Sequence, residues 1–469
     1  MLKRKQIVVL GMALMAMTSF AKAKYVFYFI GDGMGTGQRQ ISEEYNKRVL
    51  KNGDKLLINS FPVAGITTTY SADTLITDSA AAGTALATGH KTNNGYIAKD
   101  TDGKNLKTVL EAAQAKGMAT GLVTTTRLTH ATPAVFASHN INRDHENEIA
   151  EDYVKSGVDY FAGGGYRHFV GKGGELKSKR KDDRDLVKEF QNEGYMTFIG
   201  EKATGDFENW KPEAGEKVFA AFEPSHLPYS IDEASKKVPS LKVMTEKGIE
   251  LLSQDKDGFF MMVEAGRIDH ASHAQDVKGT IYDTLALDEA VKTAYEFYKQ
   301  HPKDTLIIVA ADHETGGMGL GFGTNYFMKL DQLKNVKVSV EDTLQNIYKG
   351  DRPAYFKYIA ENMGLTNLTD AEKAKIVKAM DVEDKESKGT DFGYDSKDKD
   401  TTYGGYSPTA IAVAHIISER AGMQWTTFAH TGTQVPLSAM GEEAGRFMGF
   451  KDNTDVAKAV AASMETELN

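Results

Sequence analysis

The sequence predicts an α/β fold: a mostly parallel central sheet with helices on both faces, carrying a helical and irregular insertion. Three observations lead there. Several short apolar runs are too continuous to be strands with one wet face. Segments with helical spacing alternate with them. One long charged stretch, about 325–405, has almost no strand pattern.

Tyr25 to Ile30 (YVFYFI) ends at Gly31-Asp32-Gly33 and reads as a buried strand. Leu106 to Lys116 repeats apolar residues at helical spacing and stops at Gly117, a helix C-terminal signal. Met118 to Thr125 is the next strand, Leu241 to Leu252 a helix and Gly258 to Val263 (GFFMMV) a strand. Ile281 to Gln300 is a long helix, and Thr305 to Ala311 (TLIIVAA) closes the series as a strand. Within the insertion, Thr369-Asp370-Ala371-Glu372 has capping-box spacing. Val382 to Thr402 is mostly Asp, Lys, Gly and Ser and is expected to be solvated, a calcium loop being the alternative. No internal repeat is visible.

Residues 1–23 are expected to lie outside the fold. Lys3, Arg4 and Lys5 precede an apolar run from Ile7 to Phe20, and Ala21-Lys22-Ala23 offers small residues where a signal peptidase reads. The run is short for a membrane span, so a cleaved signal peptide is favoured over an anchor or a buried helix. The expectation is export to the periplasm or the medium after cleavage near Ala23. Residues 24–469 then form a single domain with no membrane span.

Composition narrows the chemistry. Hydrophobic residues make up 41% and charged residues 26% of 469, so a large core is affordable and disorder is excluded. The formal charge of -9 leaves no basic surplus for counterion release on nucleic acid. Cysteine is absent, which removes disulfides, thiolate metal sites and thiol nucleophiles. Any metal must be held by His, Asp, Glu or hydroxyl oxygen.

In an open α/β sheet a ligand sits beyond the carboxyl ends of the strands. Asp32, Glu264, Asp312-His313 and the Thr124 to Thr132 segment all follow expected strands, so together they describe one polar floor. The glycines around Asp32 complete no nucleotide-binding register. They are expected to let the backbone pack closely while Asp32 faces a cation, a plain turn being the alternative. Asp269 and His273 stand four residues apart, which puts a carboxylate and an imidazole on one helical face and suits zinc. Glu264 suits a harder ion, while His430 adds another imidazole. Such a ligand supply would serve two zinc ions and one oxygen-only site, and paired metals suit displacement at phosphorus. Ser79 opens an alanine-rich helix closed by Gly89, where amide N–H groups favour anions. It is either an N-cap or a nucleophile. Arg143 offers a planar fork for two phosphoryl oxygens.

FIGDGMG, TDSAAAGTALATG, THATPAVFASHNINR, EAGRIDHASH, AADHETGG and AHTGTQ occur in the order found in alkaline phosphatases, and the resemblance runs from Tyr25 to about Gly441. It implies hydrolysis of phosphate monoesters to an alcohol and inorganic phosphate through a phosphoserine, with two zinc ions and one magnesium. By motif, Asp269, His273 and His430 match the ligands of the first zinc. Asp32, Asp312 and His313 match those of the second, with Ser79 as the nucleophile. Asp32, Thr132 and Glu264 match the magnesium ligands, and Arg143 the phosphate-binding arginine. His130 and His270 stand where the best-known enterobacterial branch has an aspartate and a lysine, and are expected beside the ligands rather than among them. His130 could nonetheless bind metal at the third site. The stretch before His430 fits the crown-like insertion of the family, and the resemblance allows a homodimer. A phosphodiesterase of the same superfamily and an exported phosphate-binding protein are the alternatives. A sulfatase is disfavoured, because no cysteine is available to become formylglycine.

Overall fold

The computed structural model describes residues 22–324, 326–386 and 402–468. The expected signal segment lies outside these residues except for Lys22 and Ala23, as does most of the Val382 to Thr402 run.

The chain order of strands is β1 Tyr25–Gly31, β2 Val63–Thr67, β3 Ala119–Arg127, β4 Tyr160–Gly164, β5 Tyr195–Ile199, β6 Lys217–Ala221, β7 Phe259–Ala265, β8 Thr305–Ala310, β9 Glu314–Thr315, β10 His430–Thr431, β11 Val435–Gly441 and β12 Gly449–Lys451. Ten of them make one sheet in the order β12-β2-β11-β8-β1-β7-β3-β4-β6-β5, and β9 pairs with β10 separately. Every neighbouring pair in the large sheet is parallel except those made by β11, which runs antiparallel between β8 and β2.

The apolar runs are continuous because both faces are covered. In β1, Val26, Tyr28 and Ile30 enter one core while Tyr25, Phe27 and Phe29 enter the other. The strand period of two therefore sends successive residues into different cores, and no position of β1 is left for a polar residue. Burying each Phe or Ile side chain fully contributes roughly 1.5–3 kcal/mol. The helices Ser79–Thr88, Val109–Ala115, Ala131–Ala137 and Asn453–Ser463 cover the first face. Leu241–Leu252 and Val277–Gln300 cover the second.

The expected elements are present, with shifted ends. The helix expected from Leu106 begins at Val109, because Thr108 is extended and its side chain takes the N–H of Glu111 in a capping box. The helix expected from Ile281 begins at Val277, where Asp276 caps two amides.

The insertion shares a third core with the helices beside it, including Ile41, Tyr45, Val277 and Ile281. Its helices Arg352–Asn362 and Asp370–Glu386 contribute Tyr355, Ile359, Ile376 and Met380, which pack with Ile411 and Ile417 of the Pro408–Ala421 helix. The Thr369 capping box forms as expected, with Glu372 Oε2 accepting from Thr369 N at 2.7 Å. Val382–Glu386 is helix rather than solvated loop. The reason is Glu383, whose carboxylate is buried and accepts from Ser407 Oγ, Thr409 N and Thr409 Oγ1 at the start of the next helix. No helix among the described residues is long and apolar enough to cross a membrane.

Candidate active site and metal centre

The four strands that carry the expected polar floor are neighbours, in the order β8-β1-β7-β3. All are parallel, and their register places Ile30 beside both Glu264 and Ala310, and Thr124 beside Glu264. Asp32, Glu264, Asp312 and His313 thus emerge at one edge of the sheet, fully buried.

Gly33 allows this floor to close. Its φ is +69°, and a Cβ there would lie 2.8 Å from both Asp269 Cα and Thr315 Oγ1. Close packing, not phosphate cradling, is what this glycine serves.

Ser79 is the first residue of its helix, not its cap. Asp78 does the capping, with Oδ1 accepting from Ala81 N at 2.9 Å. The serine hydroxyl is therefore spared, and Ser79 Oγ lies 3.2 Å from His313 Nε2. Asp78 Oδ2 meanwhile accepts from Gly95 N and from Arg143 Nη1, at 2.9 and 3.0 Å.

Asp269, His273 and His430 converge. His273 Nδ1 lies 2.5 Å from Phe428 O, and His430 Nδ1 lies 2.8 Å from Thr77 O. A carbonyl only accepts, so each Nδ1 carries a proton and each Nε2 is directed inward. The two Nε2 atoms are 3.1 Å apart, and lie 3.4 and 3.5 Å from the Asp269 carboxylate. A positive charge between them would remove their mutual repulsion. Burial raises the Asp269 carboxyl, but His273, His430 and His313 outweigh it and hold the group well below its usual range.

Asp32, Asp312 and His313 form a second group. His313 Nε2 lies 3.4 Å from Asp32 Oδ1 and 3.2 Å from Asp312 Oδ2. Asp312 Oδ1 is fixed by the N–H groups of Gly33 and His313. At the third position Thr132 Oγ1 donates to Asp32 Oδ2 at 3.3 Å. Glu264 Oε2 accepts from Thr124 Oγ1 and Thr126 Oγ1.

Three buried carboxylate oxygens, Asp32 Oδ1, Asp312 Oδ2 and Glu264 Oε1, carry no hydrogen bond. Each such group costs roughly 1–3 kcal/mol or more unless something compensates it. Burial together with Asp312, Asp269 and Glu264 raises the Asp32 carboxyl far above its usual range, and burial lifts Glu264 to about 7. This concentration of unpaired negative charge, set among imidazoles, fits bound cations. Among the described residues, three groups have ligand atoms within 4.8 Å of one another: Asp269, His313 and His430; Asp32, Asp312 and His313; and Asp32, His130 and Glu264.

The family model for alkaline phosphatase matches residues 23–466. Alkaline phosphatase 3 of Bacillus subtilis is 36% identical over 94% of this chain and 89% of its own length. The repressible alkaline phosphatase of Saccharomyces cerevisiae is 31% identical over 96% and 82%. The crystal structure of Thermus thermophilus alkaline phosphatase superposes with a TM-score of 0.80 at 30% identity, covering 98% of this chain and 96% of that one.

The chain belongs to the alkaline phosphatase family. It is accordingly a phosphomonoesterase hydrolase, and its sheet is the sheet of that family. A solved structure of TAB5 alkaline phosphatase, with one histidine replaced by aspartate, holds magnesium in its M3 site. That structure superposes with a TM-score of 0.66 at 25% identity, covering 96% of this chain and 99% of that one.

Around these groups lies a basic rim. Arg143 spans Asp78 and His130, with Nη2 3.1 Å from His130 Nε2. His270 Nδ1 accepts from Arg267 Nη1 at 2.8 Å. His130 reaches the Asp32–Glu264 group, and its ring meets that of His270 edge-on with centroids 5.7 Å apart. Sequence reasoning missed His226, which comes from beyond β6 and stacks edge-on against His270 with centroids 4.3 Å apart. A lone histidine outside any motif gives no signal. It also missed Thr315, whose hydroxyl donates to Asp269, and the capping role of Asp78. The Asp-Ser dipeptide was the signal for the second.

Proposed function

We propose that this enzyme hydrolyses phosphate monoesters through a phosphoserine on Ser79, with two zinc ions and one magnesium. Asp269, His273 and His430 would hold one zinc, and Asp32, Asp312 and His313 the other. Asp32, Thr132 and Glu264 would hold magnesium, with Asp32 shared. The reading rests above all on Ser79 Oγ, unclaimed by the cap and 3.2 Å from His313 Nε2 among unpaired buried carboxylate oxygens. The donor sets support the metals: nitrogen and oxygen suit zinc, and oxygen alone suits magnesium. The magnesium of the TAB5 variant supports a third site in the family.

Bound there, the cations supply Lewis acidity and lower the pKa of a neighbouring hydroxyl. Ser79 Oγ attacks phosphorus, the ester P–O bond breaks, and the alcohol leaves. Water then attacks the phosphoserine, releasing inorganic phosphate and restoring the hydroxyl. Arg143, aligned by Asp78, pairs with phosphoryl oxygens throughout. Binding directed at the phosphoryl group implies wide tolerance of the alcohol. Residues 1–23 belong to the same proposal as an export signal, which the N-terminal mass of the mature protein would check.

The test is to trap the phosphoenzyme. Ser79→Ala should lose it and cut kcat by several orders of magnitude, while the variant keeps the zinc content of the parent. A phosphoenzyme persisting in the variant would refute the assignment of the nucleophile.

A further inference from the structure

Glu314 follows the proposed ligand His313 directly, yet it belongs to none of the candidate metal groups and hydrogen-bonds to none of the proposed ligands. It is buried, and its carboxylate accepts four hydrogen bonds from three separate stretches of chain. Oε1 accepts from Gln38 Nε2 at 2.8 Å and from Met318 N at 3.0 Å. Oε2 accepts from Gly317 N at 3.1 Å and from Thr431 Oγ1 at 2.5 Å. A carboxylate has about four lone-pair sites, and all four partners are donors. An amide could not replace it, because its NH₂ would face other N–H groups.

The three stretches are those that carry proposed metal ligands. Gln38 lies on the helix Thr36–Tyr45, which follows Asp32 through the glycine turn. Gly35 in that turn packs so closely that a Cβ would come within 2.2 Å of Glu314 Cγ. Thr431 is the neighbour of His430, and its backbone pairs with Glu314 where β9 meets β10. One anion thus joins the Asp32 turn, the His313 strand and the His430 strand behind the metal groups.

We infer that Glu314 is a positioning residue which holds these three ligand-bearing segments in one frame and so sets the affinity of the zinc pair. The inference rests on the reading of Asp32, His313 and His430 as metal ligands. Residues that orient ligands from outside commonly change metal affinity by about 10–100-fold when mutated.

Zinc would be removed from the parent, Glu314→Gln and Thr431→Val, then returned against a competing chelator. Melting would be followed with and without zinc. Glu314→Gln should bind zinc about 10–100-fold more weakly, and the rise in Tm that zinc confers should shrink. At saturating zinc its kcat should largely return. Thr431→Val, which removes a single donor, should move the same way by less. A merely structural role would lower the Tm of both forms equally and leave zinc affinity unchanged, and that result would overturn the inference. A parent that takes up no zinc would overturn the metal reading and this inference with it. A parent that binds zinc, with variants that match it, would overturn this inference alone.

Discussion

His430 Nδ1 lies 2.8 Å from the carbonyl oxygen of Thr77, two residues before Ser79. The bond crosses 353 positions of sequence. It fixes the tautomer of a proposed zinc ligand and ties that ligand to the segment carrying the proposed nucleophile. A reaction that needs close placement of ligand and nucleophile is served by such a tie.

Arg143 is clamped between Asp78 Oδ2 and His130 Nε2 and reaches none of the carboxylates of the metal groups within ion-pair distance. Arg143→Ala should raise the inhibition constant of inorganic phosphate by roughly 10–100-fold, the worth of one or two charge-assisted hydrogen bonds. Zinc content should not change. Elemental analysis beside a phosphate inhibition series checks both, and lost zinc would point to a structural role instead.

His130 sits beside Asp32 and Glu264, so replacing its nitrogen with a carboxylate makes the third group all oxygen. His130→Asp should favour magnesium over zinc there, by on the order of tenfold. Competition between the two ions, read by metal content after dialysis, measures it. The same metal occupancy in parent and variant would count against a direct role for His130.

Gly33→Ala should destabilise the protein by about 1–3 kcal/mol, through a strained positive φ and a Cβ forced against Asp269 and Thr315. Because Asp269 is displaced, zinc content should fall as well. Thermal melting and zinc analysis together test this. A variant as stable as the parent would show that the turn can relax.

Asp283 lies in the Val277–Gln300 helix and accepts from Ser230 Oγ and N. Burial pushes its carboxyl up to about 7, against the opposing pull of the Ser230 hydrogen bonds and Arg267. The folded state thus keeps a proton that the unfolded chain releases near the ordinary pKa of 3.8. Stability from this group is complete below that pH and is lost as pH rises to about 7, with a slope of up to ~1.4 kcal/mol per pH unit. Asp283→Asn should flatten the pH dependence across that window. Urea midpoints of both proteins from pH 4 to 8 give the comparison, and parallel curves would rule the linkage out.

The sequence by itself determined the four central strands and the helices Val109–Ala115, Leu241–Leu252 and Val277–Gln300, because burial on both faces demands unbroken apolar runs and helix packing demands a 3.6-residue period. It also determined the motif residues at the strand ends, which the β8-β1-β7-β3 order then brought together. Periodicity says that YVFYFI is a buried strand. It does not say that Gly258–Val263 lies on one side of it and Thr305–Ala311 on the other. The strands β4, β5 and β6 carried too few residues to declare themselves, and Pro436 and Ser438 interrupt the apolar run of the antiparallel β11. Hydrogen bonds between distant positions were decided only by the tertiary structure: Glu314 to Gln38 and Thr431, Thr315 to Asp269, and Arg143 to Asp78 and His130. Their partners lie up to hundreds of residues apart, so no local pattern encodes them. They exist because the folded sheet brings chain ends together and buries polar groups that must then find one another.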